Sequence, residues 1–259
     1  MFWNQIKSFQ NYRPLMWEFV KRDIKLKYRN SYLGIIWSVL NPLLITAVLT
    51  FIFSNLFKNN IPNFPVYCLS GRLLYGFFSQ TTNLCMSSVI RKSSLIKKIY
   101  VPKYIYPLAA CISGFIIFSI SLIPLVGLMI LTGASFHSTF FLSIYPLLAL
   151  FFISLGIGLM LASINVFFRD VEHLYSVVLM IIMYTSAIFY SPTIIEESSR
   201  FLMLLNPVFT VISVFRDCIL YGGITSSESW ILSGVYAVLF MIIGLVVFYK
   251  TQDKFILHI

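Results

Sequence analysis

Charge is scarce in this chain and falls in clumps, leaving apolar stretches whose lengths can be compared with a bilayer. Between Lys103 and Arg169 there is no Asp, Glu, Lys or Arg. A spanning helix needs about 20 apolar residues to cross about 30 Å of hydrocarbon. That interval therefore holds two spans, 107–131 and 140–165, separated by the polar turn "TGASFHST". Other charge-poor runs predict spans at 33–57, 73–90, 174–195 and 229–249. The expected fold is an all-α polytopic membrane protein of six transmembrane helices, with residues 1–259 forming a single transmembrane domain.

The apolar stretch "FLMLLNPVFTVISVF" at 201–215 does not fit this count, because it is short and interrupted by Asn206-Pro207. Proline removes a backbone donor and breaks a helix, which is tolerable at membrane depth only where protein or water satisfies the freed groups. Residues 200–222, with Asn206, Pro207 and Arg216, are expected to form a pair of short re-entrant helices on the external side before the last span. A seventh, broken span is the alternative.

Composition agrees with a bilayer setting: 59% of the 259 residues are hydrophobic and 11% charged, too few polar groups to cover a soluble globule. With the loops assigned alternately to the two sides, fifteen of the nineteen Lys and Arg fall on the side of both termini. The positive-inside rule then makes both termini cytoplasmic. Topology and anionic lipid explain the net charge of +10 without nucleic acid as a partner. Residues 1–30 lack the apolar core of a cleavable signal, so the first span is expected to do the targeting.

Before that span, Tyr12, Leu15, Met16, Phe19 and Val20 form the apolar stripe of an amphipathic helix within residues 1–32, with Glu18, Lys21, Arg22, Lys25 and Arg29 on its other face. Such a helix lies in the membrane interface. It serves either as an anchor or as a cationic platform for a headgroup or a cytoplasmic partner. The loop 91–106, within "RKSSLIKKIYVPKYIYPL", predicts a short helix capped by Ser93 or Ser94, reaching Ile99 or Tyr100 and halted by Pro102. In "INVFFRDVEHLY" the adjacent Arg169 and Asp170 read either as a local ion pair or cap, or as part of a cytoplasmic contact.

The four cysteines are scattered without a C-x-x-C pair, and His137, His173 and His258 lie far apart. The sequence therefore proposes no metal site and no catalytic centre. No G-x-x-x-x-G-K-[ST] phosphate loop occurs, so no nucleotide cofactor is expected in this chain and any ATP and Mg must be bound elsewhere.

Four stretches together carry a family resemblance. "RDIKLKYRNSYLGIIWSVLNPL" resembles the signature at the first span of the ABC-2 type permeases of bacterial polysaccharide export, the branch that serves O-antigen, capsule and teichoic acid. "LIKKIYVPKYIYPL" and "NVFFRDVEHL", with "LLNPVFTVISVFRDCILYG" after them, resemble its later signatures in the same order. The resemblance implies a homodimer that works with a separate cytoplasmic ABC ATPase and exports a lipid-linked polysaccharide. Coupling to the ATPase would fall on Arg22, Lys25, Ile96, Lys97, Lys98, Ile99, Tyr100, Arg169 and Asp170. Two positions depart from the pattern: Tyr75-Gly76 stands where many relatives carry tryptophan, and Arg72 places a cation at the end of the second span.

A hydroxyl-rich polymer with apolar C–H faces suits aromatic rings and small polar side chains better than fixed charge. Trp37, Asn41, Tyr75, Asn165, Tyr184 and Tyr190 are the channel-lining candidates; the competing role for each is an interfacial anchor. The lipid carrier of such exporters bears a pyrophosphate. Arg29, beside a hinge with Ser31, Leu33 and Gly34, is chemically suited to receive it. An ABC exporter of a drug, peptide or lipid is the nearest alternative, and a passive channel or membrane scaffold the alternative outside active transport.

Overall fold

The computed structural model describes residues 2–29, 32–56, 61–99, 101–194 and 197–258, and within them every regular element is helical. Helix α1 (Phe2–Tyr28) carries the basic segment. A single 3-10 turn, Gly34–Ile36, leads into α2 (Trp37–Leu56). Gly34 has φ 49°, a left-handed conformation open to glycine, which is why the hinge between α1 and α2 holds one. After a left-handed Asn63 and with Pro65 in its first turn, α3 (Phe64–Arg91) begins. It runs 28 residues, about 42 Å at 1.5 Å per residue.

Lys92 separates α3 from the four-residue α4 (Ser93–Ile96). Next come α5 (Ile105–Ser121) and α6 (Ile123–Leu131), nearly continuous but broken at Leu122, where Pro124 can neither donate to the preceding turn nor fit beside it. Helix α7 (Ile144–Phe167) follows a 3-10 segment, and α8 (Val171–Thr185) follows a tight turn at Arg169 and Asp170. Two short helices, α9 (Glu197–Leu204) and α10 (Pro207–Arg216), flank the break at Asn206. One π turn later, α11 (Ser227–Thr251) and the terminal α12 (Phe255–His258) complete the chain.

Helix α3 sits at the centre, with α2, α5 and α7 packed along it and α11 laid against α7. Glycines set the α7–α11 approach: a methyl group added at Gly244 would overlap the carbonyl of Gly156, and one at Gly156 the carbonyl of Phe240. Close backbone contact through small residues is how helices gain packing where lipid offers no hydrophobic drive.

The apolar stripe of α1 is taken up by protein. Met16, Phe19 and Val20 are buried against Ile105, Tyr106 and Ala109 of α5, and Phe19 meets the Tyr106 ring at 5.4 Å. That side of α1 is therefore docked on α5.

Four helical segments of the described residues are long and apolar enough to cross a membrane: Gly34–Ile52, Ile105–Leu131, Ser138–Phe167 and Ser227–His258. Of the other two expected spans, α3 has the length but is too polar, and α8 is apolar but only 15 residues long. The continuous helix expected at 174–195 ends at Thr185, because Ala187 turns left-handed (φ 47°). The helix that holds the run 73–90 extends beyond it at both ends, so that Arg72 lies within α3 and Arg91 is its last residue. In the short loop helix Lys92, rather than Ser93 or Ser94, occupies the N-cap position, no side chain caps it, and it stops at Ile96.

Gly244→Leu should force α7 and α11 apart and lower stability by about 3 kcal/mol. Gly127, where an added methyl group would meet only open space, should accept alanine with a change of under about 1 kcal/mol. Thermal unfolding of the purified protein in detergent measures both.

Candidate functional site

Polar or small residues recur every three or four positions along α3, at Arg72, Gly76, Gln80, Asn83, Ser87 and Arg91, and so share one broad face of the helix. From Arg72 to Arg91 that face extends about 28 Å, close to the thickness of the hydrocarbon. Two cavities open along it. The first, about 420 Å³, lies between α2, α3 and α5 and is bordered by Trp37, Ser38, Asn41, Arg72, Tyr75 and Gln80, with Lys27 and Tyr28 at the end of α1. The second, about 700 Å³, lies between α1, α3 and α5 and is bordered by Arg22, Asp23, Lys27, Gln80, Asn83, Ser88, Arg91 and Lys92. Lys27, Gln80, Leu84 and Ile117 border both, so the two adjoin.

Two side-chain bonds tie α1 to this face. Lys27 Nζ donates to Gln80 Oε1 at 3.3 Å, and Lys92 Nζ donates to Asp23 Oδ2 at 3.2 Å. Lys92 is 7% exposed, with its ammonium 4.6 Å from the centre of the Phe19 ring and 5.8 Å from that of Tyr106. Burial lowers the Lys92 pKa from its ordinary value, and Asp23 opposes that shift. Burial also lowers that of Lys27.

Three sequence candidates meet at the first cavity: Trp37, Asn41 and Tyr75. The Tyr75 hydroxyl donates to Leu179 O at 3.0 Å, fixing α8 to α3. Asn165 borders neither cavity. It is fully buried and donates to Met86 O and Glu172 Oε1. Tyr184 is exposed on α8, and Tyr190 lies in the turn after it, where its hydroxyl donates to Tyr184 O. Arg29 is exposed one residue beyond α1, and Leu33 and Gly34 also stand away from both cavities. Ser31 and Tyr100 lie outside the described residues.

Among the coupling candidates Arg22 borders the second cavity, and Lys25 is exposed on α1. Ile96 is buried under the short helix, whereas Lys97, Lys98 and Ile99 are exposed beyond it. Arg169 and Asp170 are exposed, and among the described residues they form no ion pair with each other.

Asn206 explains the broken pair of helices. Its Oδ1 accepts from the backbone N–H of Val208 and Phe209, capping α10, while its Nδ2 donates to Ile182 O, Thr185 Oγ1 and Ser186 Oγ at the end of α8. Pro207 at the first helical position forgoes no bond. Arg216, read from the sequence as an external cation, is 3% exposed. Its guanidinium stacks 3.4 Å from the centre of the Tyr67 ring and donates to the carbonyls of Ala187, Tyr67 and Ile188. Gly71 leaves room for it, since a methyl there would stand 2.6 Å from Nη2.

Sequence reasoning missed Lys27, Arg72, Gln80, Asn83 and Arg91 as cavity residues. The available signal was the three-and-four spacing of polar positions through "RLLYGFFSQTTNLCMSSVIR", which a count of charge-free length passes over.

Residues 14–220 match the family model described as ABC-2 type transporter. The chain is 30% identical over 217 residues to the O-antigen export system permease protein RfbA of Myxococcus xanthus, covering 82% of each chain. It is 27% identical over 236 residues, 90% of each chain, to the protein of the same name from Klebsiella pneumoniae. The polysialic acid transport protein KpsM of Escherichia coli is 23% identical over 236 residues, 90% of this chain and 91% of its own.

The Lys92–Asp23 bond should be measurable as a coupling. Asp23→Asn leaves the buried Lys92 and Lys92→Met the partly buried Asp23 without its partner, and each should cost about 2 kcal/mol. The double variant should cost less than the sum, as unfolding midpoints of the four proteins would reveal; strict additivity would mean that the bond contributes nothing.

Proposed function

The chain belongs to the ABC-2 type transporter family, and from that premise we propose that it is the permease subunit of an ATP-driven exporter of polysaccharide, with the polar face of α3 as the route of the sugar chain. Membership brings with it a separate ATPase subunit, since the family is the permease component of ABC transporters. The relatives that match across the length of the chain are named for export of O-antigen and transport of polysialic acid. The observation that carries the reading is the meeting of Trp37, Asn41 and Tyr75 with Arg72 and Gln80 around one cavity on a helix about as long as a membrane is thick.

The chemistry fits a carbohydrate. Trp37 offers a ring face to sugar C–H groups, while Asn41, Gln80 and Ser38 offer amide and hydroxyl partners that can be exchanged from one sugar to the next. In this reading the first anionic contact of a lipid-linked substrate is Arg29, beside the Ser31, Leu33 and Gly34 hinge, and two copies of the chain enclose the complete path. Both termini lie in the cytoplasm, and α3 and α8 complete six crossings. The segment from Ile96 to Tyr100, with Arg22, Lys25, Arg169 and Asp170, receives the ATPase. Capsule, teichoic acid and O-antigen polymers share the chemistry on which this reading rests.

Deleting the chain should abolish surface polysaccharide while lipid-linked polymer accumulates inside the cell, and the intact chain should restore export only together with its ATPase. Arg29→Ala should depress export at least about tenfold, as expected from losing one bidentate phosphate contact. Lys21→Ala, whose ammonium pairs with Glu18 at 2.9 Å on an exposed face, should leave export near normal. Equal, mild losses in the two variants, measured by quantifying surface polymer, would remove Arg29 from the capture step.

A further inference from the structure

The second cavity has features that sugar passage does not require. Four cations border it, Arg22 and Lys27 from α1, Arg91 from the end of α3, and Lys92, against a single carboxylate, Asp23, which is occupied by Lys92. Among the described residues neither Arg22 nor Arg91 has an anionic partner, and both are exposed at the cavity. The Arg22 guanidinium carbon lies 5.8 Å from the centre of the Phe19 ring. Two bonds, from Lys27 to Gln80 of α3 and from Lys92, just beyond α3, to Asp23 of α1, hold the two walls together at either end. Neutral polar groups deeper in the cavity are already committed: Ser88 and Ser113 donate to carbonyls within their own helices at 2.7 and 2.9 Å. What remains available is a pair of guanidinium forks and an ammonium, with no unpaired carboxylate to repel an anion.

We infer that this cavity, between α1, α3 and α5, is a phosphate-binding site separate from Arg29, in which Arg22 and Arg91 grip a phosphate ester and Lys27 supplies a third positive charge. A guanidinium holds phosphate oxygens through two parallel charge-assisted bonds, so two of them from different helices can clamp a single phosphate. The volume, about 700 Å³, exceeds what one phosphate fills, leaving room for the first atoms of what it is attached to. The phosphate could be delivered by a lipid headgroup or be free in the aqueous phase. As a feature of a lipid-linked export route the site rests on the function proposed above; as a phosphate site it rests only on the cavity.

The test measures binding to the purified full-length chain in detergent. Phosphatidic acid is compared with diacylglycerol, which has the same tails without phosphate, and inorganic pyrophosphate is titrated separately. The expected result is that phosphatidic acid binds and diacylglycerol does not, and that the double variant Arg22→Gln, Arg91→Gln weakens binding at least about tenfold. Arg13→Gln, on an exposed part of α1 away from the cavity, should leave affinity unchanged. Binding of pyrophosphate that is lost in the same variant would identify the site as a reader of phosphate irrespective of lipid, and binding of phosphatidic acid alone as a reader of headgroups; either result supports the site. Equal affinity of the double variant and the parent for both probes, or no binding of either probe to the parent, would overturn it. Because both arginines are exposed, their replacement by glutamine should leave the unfolding midpoint in place, which separates lost binding from lost fold. Surface polysaccharide is scored independently in cells: export without phosphate binding would remove the site and leave the function, and phosphate binding in a chain that polysaccharide export does not need would do the reverse.

Discussion

An apolar solvent cannot satisfy a hydrogen bond, and α3 carries more polar groups than any long helix of the described residues except α1; its need for protein neighbours organises the rest. Thr82, on its back, is fully buried and accepts from the Tyr175 hydroxyl at 2.7 Å while donating to its own helix. Its front, from Arg72 to Arg91, is left to the two cavities and to α1 and α2. The central place of α3, flanked by α2, α5 and α7, is the arrangement in which a helix of this composition leaves few polar groups facing lipid.

The same requirement explains the irregular end of the structure. Where α8 stops short, the carbonyls of Ala187 and Ile188 lose their helical partners, and Arg216 supplies donors to both while the Tyr67 ring faces its charge. Asp217, next in sequence, does not pair with it but accepts from Thr225 and from Trp230 Nε1, closing the π turn onto α11. One buried cation thereby joins α3, α10 and the turn after α8. At the opposite end of α3, Lys92 joins α1 to α3 and to the start of the short helix proposed to meet the ATPase. A displacement of that helix would reach α1 through Lys92 and Asp23, and α1 borders both cavities.

Fold class was legible because apolar length and charge spacing report directly on a bilayer. The helices at 107–131, 140–165 and 229–249 emerged from charge-free runs, and the break at Asn206-Pro207 was visible in the sequence alone. Charge counting failed where protein replaces lipid as the surrounding solvent. It trimmed α3 at Arg72 and Arg91 and carried α8 ten residues too far, since no local residue announces that Arg216 will hold the turn. Half of the channel candidates, Trp37, Asn41 and Tyr75, converge because α2 and α3 are neighbours; Asn165, Tyr184 and Tyr190 were chosen by residue type, and type does not reveal which side of a helix faces a cavity. Lys27 and Gln80 could not be paired from sequence because their contact depends on how α1 crosses α3.

The central claim is that one face of α3 is the route along which substrate meets water inside the membrane. Single cysteines placed from 72 to 91, in a background where Cys68, Cys85, Cys111 and Cys218 are replaced, would measure this by their reactivity toward a small membrane-impermeant thiol reagent in cells assembling polymer. Reactivity should peak at 72, 76, 80 and 83, follow the helical period, and fall when polymer fills the path. Uniformly unreactive positions between 76 and 87, with reaction only at the two arginines, would contradict it.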